Sequence, residues 1–142
     1  MPSIFSRIIA GEIPGTFVWR DDTCAAFLSI NPTVEGHTLV VPRAEVDHWI
    51  DLDESALARV MEVSRIIGQA QQRVFACDRI GLLVAGFEVP HVHVHVLPMN
   101  SMAAFDLSQA HAADRDELAT AAERMRGELR AAGHGDAVDS GG

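Results

Sequence analysis

Apolar and polar residues along this chain follow two periods, and the switches between them mark out the elements. The opening stretch SIFSRIIAGEIP puts Ile4, Phe5, Ile8 and Ile9 on one side at helical spacing, with Ser3 placed to cap the helix and Gly11 and Pro14 to end it. TFVWRDD and CAAFLSI then predict two strands joined at Asp21 and Asp22. NPTVEGH predicts a loop, and TLVVP a buried strand closed by Pro42. From Asp53 to about Phe75 the period returns to helical through Leu57, Val60, Met61, Ile67 and Val74, with Asp53 or Ser55 at the start. RIGLLVAG and the stretch after Gly86 predict two more strands, and 114–132 a polar helix with Leu118, Met125 and Leu129 on its apolar side. Strands in runs, one long crossing helix and short terminal helices imply an α+β domain on an antiparallel sheet. Residues 1–132 are expected to form that single domain, and the Gly- and Asp-rich 133–142 a loose tail.

Composition narrows the function classes. With 142 residues and 48% hydrophobic content the chain can bury a core, and disorder is not expected for most of it. A formal net charge of −9 argues against bulk nucleic acid or an anionic membrane as partner, while leaving room for a small phosphate-bearing ligand. All eleven basic residues are arginine, so the chemistry of an active-site lysine is excluded, and the absence of tyrosine removes another acid or base. Cys24 and Cys77 are expected to be reduced and mostly packed. Neither a leader pattern nor an apolar run of the ~20 residues needed to span a membrane is present, so a cytoplasmic protein is the expectation.

The segment EVPHVHVHVLP carries three of the seven histidines at strict alternation. On a strand, His91, His93 and His95 share one face and Val92, Val94 and Val96 the other, so the valines supply the buried side. His-x-His is a frequent zinc arrangement. Same-face neighbours on a straight strand nevertheless lie roughly 6.6 Å apart and the outer two about 13 Å, against zinc–nitrogen bonds of about 2 Å. A neutral imidazole is also a competent nucleophile near neutral pH, and flanking imidazoles can bind an anion and move a proton. Catalytic row, metal site and idle wet face all remain open on the residues alone.

HVHVHVLP resembles the signature of the histidine triad (HIT) family, His-x-His-x-His-x-x with every x apolar. The resemblance extends upstream through IFSRIIAGEIP, DDTCAAFLSINPTVEGHTLVVPR and AGFEVPH, from about residue 3 to residue 98. It implies a homodimer that hydrolyses or transfers at the α-phosphate of nucleotide derivatives, with no cofactor. His93 would attack phosphorus and form a nucleotidyl-histidine intermediate that water resolves. His91 and His95 would hold phosphate oxygens and assist the leaving group, and His37 would be hydrogen-bonded into the constellation. Gly86, Glu88 and Val89 would cradle the phosphate, with Ile4, Phe5, Ile8, Phe27 and Ile30 around the base and sugar. The third histidine, often glutamine in transferase branches of the superfamily, favours a hydrolase acting on phosphoramidates, adenylates or dinucleoside polyphosphates.

Three positions depart from that pattern. Ser29 stands where an acid or amide usually grips the ribose, Phe87 where glutamine is common, and Ile80 where asparagine often sits. The family's Cys-x-x-Cys zinc positions read Ser3 and Ser6, with Glu45 as a third, so no metal is expected. Glu88 adds an acid beside the triad and suggests a different leaving group. The loss of polar contacts keeps a second class of function in view, a nucleotide-binding or scaffold protein with little turnover. A His-x-His metalloprotein is the third. His48, His111 and His134 are expected at the surface, and Trp19 and Trp49 in packing roles.

Overall fold

The structure, a computed structural model, describes residues 1–139. Its elements run α1 (Ile4–Ile9), β1 (Phe17–Arg20), β2 (Cys24–Leu28), β3 (Thr38–Pro42), α2 (Glu54–Val74), β4 (Arg79–Leu83), β5 (Val94–Met99), α3 (Arg115–Ala131) and α4 (Gly135–Asp139). The five strands form one antiparallel sheet in the order β1-β2-β3-β5-β4, which makes this the expected α+β domain. Helix starts follow the side chains that satisfy otherwise unpaired amides: Ser3, Asp53 and Asp114 each accept from a backbone N–H two or three residues on. No helix among the described residues is long and apolar enough to cross a membrane.

Strand alternation sorts the core onto two faces. Ala26, Leu28, Val40, Val94 and Val96 pack beneath α2 and α3 against Val60, Val63, Ile67, Met125 and Leu129. On the other face Phe27, Leu39 and Val41 meet Phe5 of α1, with Ile8, Phe17 and Val89 at the margin. Leu39 of β3 lies opposite His95 of β5, so the functional face of the sheet is the one under α1.

Three expectations change. The histidine row is not one straight strand: β5 begins only at Val94, and His91 and His93 lie in the approach to it. There Val92 N–H donates to Val46 O at 2.8 Å, a carbonyl of the segment after β3, so β3 cannot pair this stretch as a ladder. The tail is not loose from residue 133. Gly135–Asp139 forms α4, whose Ala137 and Val138 pack on the core, while His134 lies 5.3 Å from the Trp19 ring and Arg130 pairs with Asp139 at 2.9 Å. Residues 140–142 of that expected tail lie outside the described residues. Trp19 is buried as expected, but Trp49 is 43% exposed on a 3-10 turn.

Gly36 fixes the loop that delivers His37. Its φ of +85 lies in the left-handed region, and an added Cβ would sit 2.4 Å from the Phe75 ring. Its carbonyl accepts from buried Gln71 Nε2 at 3.0 Å, which also donates to Val96 O of β5 at 2.9 Å. Gly36→Ala is therefore expected to destabilise the domain by about 3 kcal/mol or more, combining backbone strain with overpacking. Urea unfolding would measure this as a lower midpoint at unchanged slope.

Candidate active site

Two short local structures bring four histidines together. The β2–β3 loop presents His37, and β5 with the approach to it presents His91, His93 and His95; all four are at least nine-tenths buried. Adjacent rings lie about 5 Å apart, with His37–His95 at 5.1 Å, His93–His95 at 5.0 Å and Phe5–His93 at 4.9 Å edge-on. Phe5 thus forms the wall against which the central histidine rests.

The hydrogen bonds fix where each proton sits, because amide N–H groups only donate and carbonyls only accept. Thr33 N–H donates to His37 Nδ1 at 3.2 Å, so the proton of neutral His37 is on Nε2. That nitrogen lies 2.9 Å from His95 Nδ1 and donates to it, which puts the His95 proton on its own Nε2. His95 Nε2 is buried and has no hydrogen-bond partner among the described residues, so it presents an unspent N–H to the site. His93 Nδ1 donates to the His91 carbonyl at 2.7 Å, leaving His93 Nε2 as the outward nitrogen. Burial first, then the neighbouring imidazoles, push His37 down to about 3 and His95 down to about 4, apart from a small opposing pull from Glu88 on His95. Both rings are therefore neutral at ordinary pH.

His91 is placed differently from its expected role. Its Nε2 donates to Pro42 O at 2.7 Å and its Nδ1 accepts from the Ser3 hydroxyl at 2.6 Å, so neither ring nitrogen is free for a phosphate. What it offers the site is the carbonyl that orients His93. Ser3 N–H and the Ser6 hydroxyl both donate to Glu45 Oε1, at 2.6 and 2.7 Å, and these bonds hold the Glu45 carboxyl below its usual range. Serine hydroxyls replace thiolates here, and the His91 Nδ1 lone pair is already used, so these four residues lock α1 to the histidines by hydrogen bonds and are unsuited to zinc. The capping role of Ser3 was legible in the sequence; its second role toward His91 was not. The Ser-x-x-Ser spacing with Glu45 was the one available signal.

Glu88, on the β4–β5 loop, is half exposed and puts Oε2 3.3 Å from His93 Nε2. Donor atoms of Glu88, His93 and His95 fall within 4.8 Å of one another, the reach of a metal site. A metal needs a bare His95 Nε2. That would reverse the His37 bond and set a His37 Nδ1–H against the Thr33 N–H, so the proton pattern favours an anion over a cation at this nitrogen. Among the expected pocket residues, Phe5 and Phe27 are buried in mutual contact, Ile8 and Val89 are half-buried, and Ile4 and Ile30 are exposed. Ser29 Oγ accepts from Asn31 N–H at 3.2 Å, and Phe87 is 97% exposed. Gly86 turns the loop with φ +98, and Val89 O accepts from His91 N–H at 2.8 Å. Ile80, on edge strand β4, packs its side chain beside Gly68 of α2. A hollow of about 450 Å³ lined by Val34, Phe75, Asn100 and Arg124 contains none of the four histidines.

Comparison with known proteins agrees with the architecture. The chain is 37% identical over 102 residues to an uncharacterised HIT-like protein of Borreliella burgdorferi, covering 67% of this chain and 73% of that one. It is 36% identical over 103 residues to the purine nucleoside phosphoramidase of Escherichia coli, covering 67% of this chain and 85% of the relative. A HIT-like protein of Bartonella henselae superposes with a TM-score of 0.78 at 28% identity, covering 89% of this chain and 96% of that one. Residues 10–102 match the family model described as the HIT domain, and with the histidine row seated on its antiparallel sheet the chain belongs to the HIT family.

Proposed function

We propose that the protein hydrolyses nucleoside 5′-phosphate derivatives, with His93 as nucleophile. The observation that carries this reading is the pairing of one outward imidazole nitrogen, held by the His91 carbonyl, with one unspent N–H on His95. His93 Nε2 attacks the α-phosphorus while the Nδ1–H bond to His91 steadies the positive charge that develops on the ring. His95 Nε2–H donates to a non-bridging oxygen. The bond to the leaving group breaks with its electron pair, and water then displaces His93 to give the nucleoside monophosphate. Phe5 and Phe27, with Ile8 packed against them, offer the apolar surface for a base, and the E. coli phosphoramidase relative supports a nucleotide substrate. Strand β4 lies at the sheet edge with Leu82 exposed, which suits pairing with a second copy of the chain.

Binding without turnover is the second reading, favoured by the Ser29 hydroxyl being engaged in its own turn and by Phe87 standing in solvent. His93→Asn should abolish release of nucleoside monophosphate, by about 1,000-fold or more, with an unchanged melting transition. Nucleotide binding without hydrolysis by the unsubstituted protein, across phosphoramidates, adenylates and dinucleoside polyphosphates, would select the second reading.

The buried neutral imidazoles also tie stability to pH. In the unfolded chain His37 and His95 take up protons near the usual 6.5; in the folded chain they do so only near 3 and 4. Between those limits the unfolded state holds more protons, so stability rises with pH. It is complete above about 6.5 and is lost as pH falls toward the folded values. The urea midpoint should therefore fall from about pH 7.5 to about pH 5.5, and His37→Asn should flatten that slope.

A further inference from the structure

The neutral, tightly bonded histidines leave the reaction short of one proton. A leaving amine departs with an electron pair and must be protonated. His95 is neutral, and its single proton is its hydrogen-bond donor toward the phosphate; giving it up would leave an imidazolate. His37 holds its proton in the bond to His95, and its other nitrogen meets a main-chain amide that has none to exchange. Both His91 nitrogens are committed to Ser3 and Pro42. Among the described residues, the remaining titratable group in contact with the nucleophile is Glu88.

The Glu88–His93 contact bears on that proton. With His93 Nδ1–H spent on the His91 carbonyl, Nε2 faces a Glu88 carboxyl oxygen at 3.3 Å, where a proton on either group lies within reach of the other. Glu88 also fills the space where phosphorus must stand for Nε2 to reach it. Its half-exposed side chain can swing aside toward solvent, while its main chain is held by the turn at Gly86 and the packing of Val89. A substrate entering the site therefore separates the pair, and a competent nucleophile requires that the proton leave on the carboxyl.

We propose that Glu88 is the acid and then the base of the reaction, removing the proton from His93 Nε2 and giving it to the leaving group. The assignment rests on the hydrolytic reading above. In the first half, the Nε2–P bond forms and the P–N bond to the leaving amine breaks. Its electron pair goes to the amine nitrogen, which takes the proton from the Glu88 carboxylic acid. His93 is then a phosphorylated imidazolium with Nδ1–H still on the His91 carbonyl, and Glu88 is a carboxylate. In the second half, Glu88 takes a proton from water as its oxygen attacks phosphorus. The P–Nε2 pair returns to His93, the nucleoside monophosphate leaves, and Glu88 is again the acid. One carboxyl alternating between acid and base is the economy that two-step displacements permit.

Two probes differing in leaving group test this. Adenosine 5′-phosphoramidate releases an amine that needs a proton, whereas adenylyl sulfate releases sulfate, which does not. Since kcat/KM reports events up to leaving-group departure, Glu88→Gln should lower it by about 100-fold or more for the phosphoramidate and by less than about 3-fold for adenylyl sulfate. The same variant should accumulate nucleotidyl-His93 from adenylyl sulfate, seen as added mass on intact protein after quenching, because water has lost its base. Equal losses on both probes, unchanged rates on both, or no accumulation would overturn the role of Glu88 while leaving the hydrolase reading standing. Failure of the unsubstituted protein to release adenosine monophosphate from either probe would overturn both.

Discussion

The hydrogen bond from the Thr33 amide to His37 sets the direction of everything downstream of it. A main-chain N–H cannot reverse roles, so it forces His37 to donate from Nε2, and His95 in turn to aim its own N–H into the site. Without that fixed donor the pair of imidazoles would have two tautomeric arrangements of similar energy, one of which offers a lone pair to the site and invites a metal. The amide is held in place by the loop around it: Thr33 Oγ1 donates to Ala104 O at 2.7 Å, and Gln71 ties Gly36 to β5. The chemistry of the site is thus decided partly by α2, through a glutamine that touches no catalytic atom.

A second anchor works from the opposite end of the row. Ser3 caps α1 and donates to His91 with the same hydroxyl, while Glu45 draws in both Ser3 and Ser6. Helix α1 is only six residues long and would be marginal alone, so these charge-assisted bonds and the burial of Phe5 hold it to the sheet. Because Phe5 lies edge-on to His93, the contacts that fix α1 also fix that ring. A hydrogen-bonded cluster does here what a metal would do in a chain with thiolates at these positions. It requires no deprotonated sulfur and no bound ion.

Much of this was legible in the sequence, for reasons tied to particular residues. Period-two valines placed Val94 and Val96 in the core and His95 opposite them, and the cap residues Ser3 and Asp53 marked two helix starts to within a residue or two. Periodicity does not report who pairs with whom. The strand pattern of the histidine row therefore ran back to His91, where the chain instead bonds to Val46. Hydrogen-bond direction is likewise a property of three-dimensional neighbours. Nothing in HVHVHV indicated that the His91 ring would be spent on Ser3 and Pro42, or that its carbonyl would be its contribution to the site. Glycine and aspartate after residue 132 suggested disorder, and the ring contact of His134 with Trp19 across the fold overrode that local signal.

Burial explains why a family built on histidine should have a use for an added carboxyl in this chain. Packing the imidazoles together lowers the basicity of His37, His95 and His91, because each loses water and each would feel its neighbours' charge. That suits an oxyanion donor, which acts as a neutral ring. It handicaps a general acid, which must hold a labile proton at working pH. An acid serving such a cluster belongs at its rim, in contact with the nucleophile yet still partly in water, and Glu88 occupies that place. Phe87 beside it projects into solvent. The added carboxyl thereby sits on the β4–β5 loop, while the sheet, the capping bonds and the Thr33 chain hold the histidines in place.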